Sequence, residues 1–205
     1  MIMRKTKEEA AITREKLLHV ALSVFSAKGY SATTLKDIAH EAGVTRGAIY
    51  WHFGGKAELY NSLLSEFSAR GSRVAQQVIS EGGTFREILR KIFVRLLSAV
   101  EDDRELREVM EIALFKTELT TELKAGRRQQ IEAARGLMAG IAEAMRQGIT
   151  SGELRSDLDP QNMARAFMAS QNGAIYLWLS DPDSFSLKES AGTLADIFLA
   201  GISSQ

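Results

Sequence analysis

Residues 33–53 read Thr-Thr-Leu-Lys-Asp-Ile-Ala-His-Glu-Ala-Gly-Val-Thr-Arg-Gly-Ala-Ile-Tyr-Trp-His-Phe. The spacing describes two short helices joined by a glycine turn. Leu35, Ile38 and Ala39 recur at helical spacing and make one apolar side. Thr34 is placed to cap the first helix, with Asp37 three residues on in a near capping box. Gly43 supplies the positive φ that a tight interhelical turn demands. Val44, Ala48 and Ile49 return to the same small core, and Phe53 closes its end. Arg46, Gly47, Tyr50, Trp51 and His52 are left on the outside of the second helix. Three adjacent rings on so short a helix cannot all reach one core, so their display points to a partner. The pattern is that of a helix-turn-helix addressed to DNA. Arg46, near the start of the recognition helix, suits a forked contact with guanine O6 and N7. Tyr50, His52 and the Thr45 hydroxyl suit phosphates, as does the partly positive helix N-terminus. Lys56, just past the helix stop Gly54-Gly55, reads as a further phosphate contact.

The charge distribution agrees with that reading although the net charge of the 205-residue chain is zero. Residues 1–56 hold nine Lys or Arg against five Asp or Glu, and the remainder holds seventeen against twenty-one. A basic head on an acidic body places phosphate neutralisation locally. The absence of cysteine removes disulfides and thiolate metal sites and fits a reducing compartment. The first residues are charged with no apolar run behind them, so no signal peptide is expected. No stretch approaches the length of a membrane span. A soluble, cytoplasmic chain is the expectation.

Outward from the decisive stretch, periodicity is helical almost throughout, with prolines only at 160 and 182. A first helix is expected over about 8–28, capped by Thr6 with Glu9 and ended by Gly29. A long helix should open at Lys56 and run to about 80, burying Leu59, Leu63, Leu64, Phe67 and Val74. Thr84 and Glu87 box the next helix, and Glu101-Asp102-Asp103 reads as a solvated loop and cap. Helices are expected near 104–117, 121–151 and 159–179, the last with Asp159 as cap and Pro160 in its first turn. Ser186 and Glu189 box a final helix whose Leu187, Leu194, Ile197, Phe198 and Ile202 form one stripe. The fold class is therefore all-α, about nine helices: a three-helix DNA-binding head over 1–55 and a helical body over 56–205. The helix at 163–179 is apolar nearly all round, and a helix apolar on every face is buried on every face. One of its partner surfaces is expected to be a second copy of the chain, since helix-turn-helix proteins usually act as two-fold dimers.

Chemistry-bearing constellations are missing. Three histidines without helical pairing and no cysteine give no zinc site. There is no nucleophile elbow and no dinucleotide fingerprint after a strand. Gly54-Gly55-Lys56 echoes a phosphate loop only faintly and reads as a helix stop. No catalytic set, cofactor or metal is expected.

The residues also carry a resemblance. Residues 4–10, 33–53 and Lys56-Ala57-Glu58-Leu59, continued by 110–112, Lys116, Trp178 and 182–185, resemble the TetR family of bacterial regulators. Within it they are similar to the multidrug-efflux repressors of AcrR and TtgR type. The resemblance implies nine helices, dimerisation through the last two, a palindromic double-stranded DNA operator, and release by a hydrophobic or aromatic small molecule. It carries the DNA contacts onto Thr33, Thr34, Thr45, Arg46, Gly47, Tyr50, Trp51, His52 and Lys56, with Arg4 and Lys5 as a basic arm in the neighbouring minor groove. It carries the effector pocket onto Phe67, Phe93, Leu96, Met110, Leu114, Leu137, Ile141, Met168, Gln171, Asn172 and Tyr176. That set is mostly apolar with a few polar groups, as ligand pockets are. The chain departs from relatives that have polar residues where Met110 and Leu114 stand and an acid where Asn172 stands, so their ligand spectrum does not transfer. Two other readings compete: a DNA-binding regulator controlled by a protein partner without an effector, and a helical enzyme or carrier localised by its head.

Overall fold

The computed structural model describes residues 7–118, 120 and 122–204. Arg4, Lys5 and the cap expected at Thr6 lie outside the described residues. Among the described residues there are nine helices: α1 Lys7–Ala32, α2 Leu35–Ala42, α3 Arg46–Phe53, α4 Lys56–Glu81, α5 Phe85–Asp102, α6 Arg104–Phe115, α7 Lys124–Thr150, α8 Pro160–Ser180 and α9 Leu187–Ile202. The one extended pairing among them is an isolated bridge between Leu154 and Ser203. Two compact units are formed. The first runs to Ser68 and takes in Glu108–Arg127; the second is Ala69–Arg107 with the chain from Arg128 onward.

The first unit is organised around the helix-turn-helix. Leu17, Ala21, Leu22 and Phe25 of α1 meet Ile38, Ala39 and Ala42 of α2, Ile49 of α3, and Leu59 and Leu63 of α4 in one core. Thr34 and Asp37 form a full capping box at the head of α2, each side chain taking the other's backbone N–H. Gly43 ends α2 at φ 63°, ψ 36°, a left-handed conformation that a residue with a Cβ adopts only at a cost. Gly29, at φ 75° and ψ 169°, breaks the regular helix where the sequence places a stop. The chain nevertheless makes one more turn to Ala32, which carries Tyr30 into the core at 1 % exposure.

The second unit is built on α5, with α9 packed along it and α8 against both. Thr84 and Glu87 form the expected capping box of α5, and Asp159 with Pro160 opens α8 as read from the sequence. Leu187, Ala191, Ala195 and Leu199 give α9 a buried face of small and medium side chains. Alanines there let two helix backbones approach closely, which explains the extent of the α5–α9 contact. This departs from the predicted stripe: Leu194 and Phe198 are only half-buried and Ile197 is 66 % exposed. Leu187 and Ile202 of the predicted stripe are buried, and between them the packing is done by Ala191, Ala195 and Leu199.

Candidate DNA-binding and effector sites

The exterior of α3 is as the sequence drew it except at His52, which is half-buried between the Trp51 and Phe53 rings. Arg46 and Gly47 are exposed, Tyr50 is 56 % and Trp51 71 % exposed, and only Ile49 of this helix is buried. The indole of Trp51 stands edge-on to the imidazole of His52, centroids 4.4 Å apart. Displaying these rings to water wastes apolar surface unless a partner covers it. Thr45 caps α3, its oxygen accepting the Ala48 N–H at 3.2 Å, which leaves the hydroxyl hydrogen free to donate outward.

The threonines at 33 and 34 are placed differently from one another. Thr34 is exposed, but its hydroxyl donates to Asp37 at 2.6 Å while accepting the Asp37 N–H, so the hydroxyl is committed to the cap. Asp37 also pairs with Lys28 at 2.9 Å, and these bonds hold its carboxyl well below the usual range, the Thr34 hydroxyl first among them. Thr33 is 1 % exposed and its hydroxyl donates 2.7 Å to the Gly29 carbonyl, so its side chain braces the end of α1 from inside.

Lys56 has acquired intramolecular partners. Its ammonium donates to the carbonyls of Tyr30 at 3.1 Å and Thr33 at 2.9 Å, and sits 4.3 Å from the centre of the Tyr30 ring. It thereby caps the last turn of α1, where carbonyls lack helical partners. One ammonium hydrogen is left over for a phosphate. Tyr30, which the sequence reading did not single out, is the hub: its ring stacks on Phe25 at 5.8 Å and meets Tyr60 edge-on at 5.1 Å. Burial raises its phenol above the ordinary tyrosine range, and the Glu122 carboxylate 3.2 Å away raises it further.

The positions assigned to an effector are divided. Phe67, Met110 and Leu114 belong to the first unit and the other eight to the second. In the second unit Phe93 is fully buried against the Phe167 and Phe198 rings, centroids 5.8 and 6.4 Å away. Leu96, Ile141 and Met168 are half-buried, as are Phe67 and Met110 in the first unit, while Leu114 and Leu137 are exposed. Gln171 is buried on α8; Asn172 and Tyr176 lie on the exposed side of the same helix and do not share its surroundings.

The start of α6, absent from the predicted sites, is a polar junction. Arg70 of α4 donates to Asp103 at 2.9 Å and Glu105 at 2.8 Å. The other Asp103 oxygen caps α6 through the N–H groups of Glu105 and Leu106. Glu101 accepts from the Ser186 hydroxyl and the Lys188 N–H at the head of α9, and Asp102 pairs with the Lys188 ammonium. Arg107 donates to the Glu101 carbonyl and lies 4.9 Å from the Trp178 ring. The acidic run 101–103 is therefore not a solvated loop: it caps two helices, and each carboxylate has a named partner. No local pattern announces pairings across 33 to 87 positions of chain, and only the fold brings them together.

With this geometry in view, comparisons with known proteins are specific. The signature of the tetR family of bacterial regulatory proteins matches residues 17–63, and that of the C-terminal region of MAATS-type transcriptional repressors matches residues 85–203. The chain is 37 % identical over 191 residues to the HTH-type transcriptional regulator TtgR of Pseudomonas putida, covering 91 % of this chain and 89 % of that one. It is 34 % identical over 198 residues to the HTH-type transcriptional regulator AcrR of Shigella flexneri, with 96 % and 92 % covered. Among solved structures, NalD, the secondary repressor of the MexAB-OprM multidrug efflux pump in Pseudomonas aeruginosa, superposes with a TM-score of 0.84 at 26 % identity, covering 96 % of this chain and 98 % of that one. SmeT in complex with triclosan gives 0.82 at 26 % identity, with 95 % and 93 % covered. The capped helix-turn-helix, the nine-helix order and both family signatures converge: the chain belongs to the TetR family of bacterial transcriptional regulators, with the C-terminal region of a MAATS-type repressor.

Proposed function

We propose that this protein represses an efflux or similar detoxification gene by binding a palindromic operator as a homodimer, and that a hydrophobic or aromatic small molecule releases it. The observation that carries the reading is the outer face of α3, where Arg46, Tyr50 and Trp51 stand exposed on a helix fixed by caps at both ends. Residues 1–55 read the DNA in this account, with Thr45 donating to phosphate, His52 beside it and Arg4 with Lys5 in the minor groove. Residues 56–205 bind the effector and dimerise. Leu177, Tyr176 and Ile197 leave the α8 and α9 surfaces apolar and open, and a second copy covers them. The protein acts by binding alone, without catalysis, and works where the chromosome is.

Release requires that the effector bind the DNA-incompetent conformer better, and tenfold derepression needs ~1.4 kcal/mol of differential affinity. α4 is the natural lever because it is one continuous helix from Lys56 to Glu81. Fluorescence anisotropy on DNA from beside its own gene, against scrambled DNA across a salt series, tests the reading. Tight selective binding with a steep salt slope is expected. Equal binding to both DNAs means an architectural role, and an operator complex that no aromatic compound dissolves means control by a protein partner.

A further inference from the structure

The last turn of α3, from which the Trp51 and His52 rings project, is held by little core. Of the eight residues of this helix, only Ile49 is buried. Phe53 is half-buried and packs against the core of the first unit. Over its ring lies the guanidinium of Arg14 from α1, its carbon 5.2 Å from the ring centre. Glu66 of α4 pairs with the same guanidinium at 3.6 Å. Towards the outer face, the Phe53 ring meets the His52 imidazole at 6.1 Å, and His52 meets the Trp51 indole at 4.4 Å. Side chains of consecutive helical residues ordinarily point apart. Three rings in contact round one helix end are therefore each held by the next, and a cation from another helix closes the row. The row runs from Glu66 on α4, through Arg14 on α1, to Trp51, which is 71 % exposed.

We propose that Arg14 is a positioning residue for operator recognition: lying on Phe53, it sets the orientation of the His52 and Trp51 rings, and Glu66 links that orientation to α4. The proposal rests on the reading that the outer face of α3 contacts DNA. It adds a residue outside the helix-turn-helix on which that face depends. The guanidinium is already engaged by a ring face and a carboxylate, which favours positioning over a direct bond to phosphate. Its planar group is what stacking on an aromatic face uses. An exposed ion pair of this length adds little stability, so Glu66 contributes direction, keeping the guanidinium over the ring. Arg14 thus acts through its shape, and a lysine, which has the charge without the plane, does not replace it.

The test compares Arg14→Met, Arg14→Lys and Glu66→Gln in the full chain. The chain holds two tryptophans, so a Trp178→Phe background leaves Trp51 as the single fluorophore. Without DNA, the anisotropy decay of Trp51 is expected to gain a fast component in both Arg14 variants and a smaller one in Glu66→Gln. With Trp178 restored, both Arg14 variants are expected to bind DNA from beside the protein's own gene about tenfold more weakly than the parent, with scrambled-DNA affinity and the salt slope unchanged. A Trp51 decay equal to the parent's in both Arg14 variants overturns the proposal, and a parent-like decay in Glu66→Gln overturns the link to α4. A loss that Arg14→Lys restores, and that lowers the salt slope by about one in Arg14→Met, marks a direct phosphate contact and also overturns it. A parent that prefers its own DNA, with Arg14 variants that bind it equally well, sinks the proposal alone. A parent that binds both DNAs alike sinks the reading of α3 itself, and this proposal with it.

Discussion

The sequence reads Arg46 and Lys56 as two contacts to one ligand, yet their surroundings in the structure differ. Arg46 is exposed on the outer face of α3, free to fork onto a base. Arg46→Ala is expected to weaken specific operator binding by roughly 1–3 kcal/mol and to relax selectivity at one base pair. Unchanged affinity in a binding titration would remove it from the readout. Lys56 holds the end of α1 through two carbonyls and a ring face. Lys56→Ala should therefore lower stability by about 1–2 kcal/mol, before any effect on DNA, because charged hydrogen bonds to carbonyls are lost. A melting curve superposable on the parent's would show that those contacts hold nothing. Burial raises the phenols of Tyr30 and Tyr60 above the ordinary tyrosine range, Tyr30 the more. A raised folded-state value means that the native form keeps the proton after the unfolded chain has lost it. The stabilisation is complete below pH ~10 and is lost as the pH rises beyond it. In an alkaline titration, Tyr30→Phe should lose stability more shallowly than the parent above that pH, and parallel curves would contradict the burial argument.

At the scale of elements, α6 stands where the sequence places it, but the ties at its two ends were not announced. Its first turn is tied to α4 through Arg70 with Asp103 and Glu105. Just past its other end the Tyr30 backbone N–H donates to the Lys116 carbonyl at 3.2 Å, and the Lys116 ammonium donates to the Ser26 carbonyl of α1 at 3.1 Å. The Glu105 bond first, then the nearby carboxylate charges, reinforce the Arg70 cation. Arg70→Met keeps the length of the side chain and removes the tie. It is expected to retain operator and effector binding while cutting effector-driven release from about tenfold to under about twofold, the loss of a coupling free energy. An effector response equal to the parent's would show that α4 moves independently of α6. Helix caps, by contrast, were local and legible: Thr34 with Asp37, Thr84 with Glu87, and Asp159 before Pro160 each stand where spacing placed them. Capping satisfies groups within four residues of one another, so a linear sequence contains the whole interaction.

For the whole molecule, the proposed dimer rests on the exposed apolar residues of α8 and α9. Leu177 is 63 % and Ile197 66 % exposed, beside a half-exposed Tyr176. Leu177→Glu combined with Ile197→Glu is expected to convert the protein to a monomer in sedimentation, since two buried charges oppose the interface. Operator affinity should fall with it, because a palindrome spaces its half-sites ~34–36 Å apart and one head reaches only one of them. A double variant that still sediments as a dimer would place the interface elsewhere.

The amino-acid sequence by itself determined the helical class, the helix-turn-helix with its glycine turn, most helix ends and the outward face of α3. All of these depend on residues within one or two turns of each other, where periodicity, caps and the conformational freedom of glycine act directly. Only the tertiary structure decided that Thr33 is an internal brace, that Lys56 caps α1, that 101–103 ties helices together, that alanines rather than Ile197 seat α9, and that Arg14 lies over Phe53. Each of these turns on which distant backbone or side chain arrives beside a residue. A polar group's role depends on that neighbour, because the same ammonium or hydroxyl is a surface contact in water and a structural or recognition element once its water is displaced.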